Sequence, residues 1–312
     1  MENKITRQEF LQAVVIAVKQ MSEVPANARV TKLSVNNGQR DCVQVEFSRN
    51  SYANVGLDGY YQMFCDGDIL ALMAAAEAVI QAKEDAQVKE NDIQDIIQVA
   101  INYEQVKGRL MCRLVNTELN RNKLNEVPNI PFHDLSIIFY FTAGSDMCMT
   151  TNITNNMTAE WEIGIDELFE DALANMQAKA SVQIQSMFEI LSDMEGVPVD
   201  DMERAAETTD VPTLYVLTNK AKCIGAAVVL YPGILESCAE MMGGDYYLIP
   251  SSIHEFLIAP VSAGEPDEIQ TMIRDINQRA LVPEEVLADH AYLYSAAKKR
   301  LQSYSCIAGW IK

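Results

Sequence analysis

A chain of 312 residues, 49% apolar and 22% charged, can bury a sizeable core as one large domain or two. Its formal charge of −20 works against binding nucleic-acid backbones or anionic membrane surfaces, both of which require clustered Lys and Arg. No apolar stretch approaches the roughly 20 residues of a membrane span, so neither nucleic acid nor membrane is expected as a partner.

The N-terminal run FLQAVVIAV follows Lys4 and Arg7 and superficially imitates a secretory leader. Glu9, Gln12 and Lys19 interrupt it, while Leu11, Val14, Val15, Val18 and Met21 mark one face of an amphipathic helix that Thr6 and Glu9 start with a capping box. A cytoplasmic protein is therefore expected. Val30, Leu33 and Val35 lead into Asn36-Asn37-Gly38, a hairpin turn, and the return strand is Cys42–Phe47. An extended run over Tyr52–Phe64 is broken by Gly56 and Gly59. Asp66 or Asp68 then caps a helix carrying Ile69, Leu72, Met73, Ala76 and Ile80. Lys83–Asp92 reads as a solvated charged stretch, and Ile93–Ile101 as a third helix. Arg109–Val115 suits strand or helix, and Leu119–Leu124 a short helix. Pro128 and Pro131 set a seam between a smaller N-terminal α+β part, residues 1–128, and a C-terminal α+β domain, residues 129–312.

The second part opens with the continuous apolar run Leu135–Thr142, a buried strand, which turns at Ala143–Asp146 into Met147–Ile153. One long helix is expected from about Asp166 to Leu191. Next comes a hairpin–helix–hairpin unit. Leu214–Thr218 and Cys223–Leu230 flank a polar turn, and Pro232-Gly233 opens a short helix ended by Gly243-Gly244. Tyr246–Ile249 then pairs with Glu255–Ala259. Glu265-Pro266-Asp267 starts a last helix with Ile269, Met272, Ile273 and Ile276 on one face. Val286–Tyr294 is mixed, and the tail from Lys298 is basic and then aromatic. The expected fold class is α+β, with an antiparallel sheet of about five or six strands and helices in the C-terminal half.

Chemistry is sparsely signalled. There is no G-x-x-x-x-G-K-[ST] loop, G-x-G-x-x-G turn, H-E-x-x-H helix or G-x-S-x-G elbow. The seven cysteines, Cys42, Cys65, Cys112, Cys148, Cys223, Cys238 and Cys306, form no C-x-x-C pair. Their setting in apolar runs is that of core thiols in a reducing compartment. His133, His254 and His290 lie far apart, so neither a metal nor a cofactor is expected. The catalytic candidates are Ser251, Ser252 and His254, a serine–histidine–carboxylate run with Glu255. Residues so close on one hairpin point where strand alternation sends them, and serines favour turns by bonding local backbone. His133-Asp134, before the Leu135 strand, could orient a base or satisfy backbone groups. Residues 160–210 hold fourteen carboxylates against Lys179 and Arg204. That segment could dock on a basic partner or imitate phosphates, or it could be a solvated helix face with acids suited to helix N-termini.

Five stretches resemble one family: FHDL at Phe132–Leu135, ELFEDALAN at Glu167–Asn175, LYVLTN at Leu214–Asn219, GAAVVLYPG at Gly225–Gly233 and IPSSIHE at Ile249–Glu255. Together they look like the domain of unknown function 5688 family of Firmicutes. The likeness is strongest over Pro131–Tyr294, and the tail beyond Tyr294 departs from the pattern. The resemblance implies a bacterial cytoplasmic protein and transfers no catalytic residue. The function expected is non-catalytic binding or scaffolding, with another protein as partner. The alternatives are a hydrolase-like enzyme using the Ser251/Ser252/His254 turn and an acidic decoy of nucleic acid.

Overall fold

A computed structural model describes residues 5–21, 27–49, 51–89, 96, 98–143, 149–209 and 212–303. The chain is an α+β protein that packs as two compact units, Met1–Gln98 and Val99–Lys312. The division falls before the seam expected from the prolines. The reason is pairing: Leu110–Asn116 is a strand, and it runs antiparallel along Leu135–Ala143. A segment hydrogen-bonded into the second unit cannot belong to the first.

In the first unit the helix Arg7–Met21 begins at the expected capping box. Glu9 Oε2 accepts from the Thr6 backbone N–H at 2.7 Å, and Glu9 N–H donates to Thr6 Oγ1 at 3.3 Å. Strands β1 (Ala28–Val35) and β2 (Gly38–Ser48) form the hairpin, with Asn37 at φ 63 in the left-handed region that the turn requires. β3 (Ser51–Val55) completes a three-stranded sheet. The chain then becomes helical over Asp58–Cys65, where an extended run was expected. Helical spacing sets Tyr61 and Phe64 against the Phe10 ring, at centroid distances of 5.5 and 5.4 Å. Asp68 does close the next turn, its Oδ1 accepting from Leu70 N–H at 2.9 Å, but the helix proper is Ala71–Val88 and Ile69 is exposed. It extends into the stretch read as solvated charge and ends at Val88. Of the helix expected over Ile93–Ile101, residues 96 and 98–100 are helical, and 93–95 and 97 lie outside the described residues. Phe10, Leu11, Val14 and Val18 meet Val43, Val45, Ala75, Ala76 and Val79 in one buried cluster.

The second unit holds two antiparallel sheets. In the four-stranded sheet, β6 (Leu135–Ala143) is flanked by β4 (Leu110–Asn116) on one side and by β5 (Asn129–Phe132) and β7 (Met149–Asn152) on the other. The six-stranded sheet comprises β8 (Val182–Ser186), β9 (Tyr215–Asn219), β10 (Tyr246–Ser252), β11 (Glu255–Pro260), β12 (Tyr292–Ser295) and β13 (Arg300–Ser303). Their order is β13-β12-β10-β11-β9-β8. The helix Ile165–Lys179 lies along β4 and occupies its free edge. Met176 Sδ accepts from Cys112 N–H at 3.3 Å, and Asn175 Nδ2 donates to Leu110 O at 3.0 Å.

Two expected elements differ. The single helix over Asp166–Leu191 is instead a helix, β8 and a second helix, Met187–Glu195. Val182 and Ile184 alternate with Gln183 and Gln185, a strand period, and Ser186 with Glu189 forms a capping box that restarts the helix. The other difference is Cys223–Leu230, expected as the hairpin partner of β9. Gly225–Leu230 is a 3₁₀ helix, because β8 and β11 already occupy both edges of β9.

Leu11 is 1% exposed and Ile16 57% exposed on the same helix. Replacing Leu11 with Ala is expected to cost about 2–5 kcal/mol, while Ile16→Ala stays within about 0.5 kcal/mol. Urea unfolding of the two variants checks the assigned face.

Candidate functional site

Ser252, His254 and Gly225 form one tightly built corner. The β10–β11 hairpin carries Ser252, whose Oγ accepts from His254 N–H at 3.0 Å, the local bond by which a serine shapes a turn. The His254 imidazole turns away from the serines: its Nδ1 accepts from the Ile224 backbone N–H at 3.0 Å, and its Nε2 lies 3.6 Å from Glu285 Oε1. That Nδ1 bond fixes the tautomer with the proton on Nε2. Thr218 Oγ1 donates to His254 O at 2.8 Å. Among the described residues no hydrogen bond joins either serine hydroxyl to the ring of His254, so the geometry is that of a corner and not of a nucleophile–base pair. Ile224 adopts φ 51 to enter the 3₁₀ helix, and a Cβ on Gly225 would lie 2.2 Å from Thr218 Oγ1 and 2.5 Å from His254 O. Only hydrogen fits there.

His133 and Asp134 fill the two-residue turn between β5 and β6, with His133 at φ 56. Asp134 reaches the other sheet. Its Oδ1 accepts from the buried Tyr292 hydroxyl at 2.7 Å, and its Oδ2 lies 3.5 Å from His290 Nε2. The other nitrogen of His290 faces Asp289 Oδ1 at 3.3 Å, and Asp289 in turn pairs with Arg274 at 3.1 Å. The rings of His133 and His290 pack on Tyr292 at 5.7 and 5.1 Å. Burial opposes ionisation of His290, but the two carboxylates outweigh it and raise its pKa. Burial likewise opposes ionisation of Asp134, but hydrogen bonds from His290 and Tyr292 hold its pKa below the usual value. Burial, then Asp134, pushes the Tyr292 phenol up, and burial lowers His133. The cluster sets an imidazole between two carboxylates that favour its protonated form, a polar joint between sheets. The sequence flagged His133-Asp134 but could not pair it with His290, because the partners lie far apart in the chain.

The acidic segment is distributed over several helix termini. Asp166 and Glu167 occupy the first turn of one helix, Glu189 closes a capping box, and Asp200 and Asp201 begin Val199–Thr209. Asp171 accepts from the Tyr103 hydroxyl at 2.6 Å and pairs with Lys107 at 3.1 Å.

A cleft of about 250 Å³ lies where the helix Pro266–Arg279 crosses β10 and β11. It is lined by Pro212, Leu214, Ile249, Ala259, Ala263, Ile269 and Met272, with Glu268 as the single charged lining residue. Glu265 and Glu268 form the capping box that aims the helix. The inward face predicted for this helix is only half inward: Ile269 and Ile273 are buried, whereas Met272 and Ile276 are each 42% exposed. The signal available in the sequence was the width of the apolar stripe, which exceeds what the sheet beneath can cover. No group of His, Cys, Asp and Glu among the described residues is arranged to hold a metal ion.

A sheet-and-helix protein with one polar joint and one apolar cleft defines a class by architecture alone. The chain belongs to the family of unknown function DUF5688, whose profile matches residues 7–296. No curated protein and no solved structure matches it.

Two outcomes are expected. A His with a raised pKa stabilises the fold fully below its unfolded value of 6.5 and loses that contribution as pH rises through the folded value. An Asp with a lowered pKa stabilises above 3.8 and loses its contribution as pH falls through the folded value. The joint is thus strongest between pH 3.8 and 6.5. Melting temperature should fall on going from pH 6 to 8, and His290→Gln should flatten that fall. Gly225→Ala should destabilise by at least about 1–3 kcal/mol, the scale of core overpacking, as read by calorimetry.

Proposed function

We propose that this is a non-catalytic binding or scaffolding protein of the cytoplasm whose partner is another protein. The observation carrying this reading is the apolar cleft beside the Pro266–Arg279 helix, whose lining includes the part-exposed Met272. Its volume is below the roughly 300–1,000 Å³ of small-molecule sites and suits one or two anchoring side chains from a partner. The helix that walls the cleft also carries the exposed Asp275 and Arg279, charged groups of the kind that border protein interfaces. The corner at Ser252 and His254 supports the same reading, since its polar groups are engaged with backbone. The cytoplasmic assignment draws on the free thiols Cys42, Cys65, Cys112, Cys223 and Cys238, which suit a reducing compartment.

A photo-crosslinking residue at Met272, compared in the native host with one at Met194, tests the proposal. Met194 is 77% exposed on the Met187–Glu195 helix. A discrete protein adduct from position 272 that is missing from position 194, and lost when Ala263→Glu fills the cleft, is the expected result. The same adducts from both positions, or none from position 272, would refute it.

A further inference from the structure

The cleft uses one face of the second unit; the four-stranded sheet carries a different anomaly. Arg113 on β4, Tyr140 on β6 and Asn152 on β7 project from the same face, since Tyr140 pairs with Asn152 and Arg113 with Ile138. The Arg113 guanidinium lies 5.3 Å from the Tyr140 ring centroid, and its Nη2 donates to Asn152 Oδ1. Its Nε is fully buried and has no hydrogen-bond partner, and the Thr142 hydroxyl two residues beyond Tyr140 is likewise buried and unpartnered. Burial lowers the Arg113 pKa. Lys123, on the helix Arg121–Leu124, is lowered first by burial and then by the charge of Arg113. Leu124 beside it packs on Val115 and Ile138, which keeps the helix over this face.

Neither cation forms an ion pair with a carboxylate among the described residues. In a chain with 44 acids to 24 bases, two adjacent half-buried cations without an acid run against composition. A buried cation lacking a counter-charge is strongly unfavourable, and an orphaned buried donor adds to the cost. The guanidinium also lies over an aromatic ring with Nη2 anchored by an amide and Nε enclosed, which leaves Nη1 as the nitrogen turned to a ligand.

We infer that Arg113, Lys123, Tyr140 and Asn152 form a binding site for a small oxyanion, the carboxylate or phosphate group of a metabolite. The ligand supplies the counter-charge that the chain lacks at this point. Lys123 closes over it from the helix, and Arg113 grips it from the sheet. The site is independent of the apolar cleft and of the reading built on it.

Thermal unfolding of the full chain in sodium phosphate, sodium succinate or sodium chloride, at matched ionic strength and pH 7, tests the assignment. Phosphate or succinate is expected to raise the melting temperature saturably beyond chloride, and the responding salt identifies the group recognised. Lys123→Gln should raise the half-saturating concentration about tenfold, the scale of one charge contact. Lys220→Gln, an exposed lysine elsewhere, should leave it unchanged. Arg113→Met should abolish the response while melting no lower than the parent without anion, because it removes an uncompensated buried charge. Should that variant fail to fold, Lys123→Gln decides alone. Shifts no larger than those in chloride, a response undiminished by Lys123→Gln, or an equal loss with Lys220→Gln would overturn the assignment.

Discussion

One carboxylate joins the two sheets of the second unit. Asp134 sits at a turn too short to be placed anywhere but the end of β6, and from there it binds Tyr292 on a strand of the other sheet and faces His290 just before that strand. Tyr292 is wholly buried, so its hydroxyl has no water to fall back on. The aromatic packing of His133 and His290 depends on where that hydroxyl is held. Asp289 and Arg274 continue the joint to the Pro266–Arg279 helix, whose inner face bounds the apolar cleft. Arg274 lies on the turn after Met272, so the joint and the cleft wall meet on one helix.

The sequence was readable wherever the determinant was local. The Thr6/Glu9 and Glu265/Glu268 boxes, the Asn36-Asn37-Gly38 turn and the apolar run of β6 all act within a few residues, and each element formed as expected. It misled where two periods coexist. Ile184, Met187, Phe188 and Leu191 satisfy a helical spacing that conceals a five-residue strand between two helices. It was silent where the determinant is a distant partner. GAAVVL is apolar enough for a strand, and only the occupied edges of β9 force it into a 3₁₀ turn. The candidate site divides in the same way. Ser252 and His254 were recognisable as a turn, whereas Asp134 and His290, or Leu214 and Met272, become neighbours only through the topology.

Charge is placed unevenly in a way that bulk composition hides. The acids of residues 160–210 start helices, close a capping box and anchor Tyr103, each in a setting where negative charge is locally favourable. The cations at Arg113 and Lys123 are set where positive charge is locally unfavourable. The contrast between so many well-placed acids and two bases without an acid, one on the sheet and one on the helix above it, is what the oxyanion site accounts for.

The thioether against the edge of β4 has a consequence of another kind. Met176 is 4% exposed and its sulfur takes the hydrogen bond that an adjoining strand would otherwise take. Sulfur in that position is shielded from peroxide while the helix stays docked. Oxidation of this one side chain is therefore expected to wait on moments when the helix lifts from the strand.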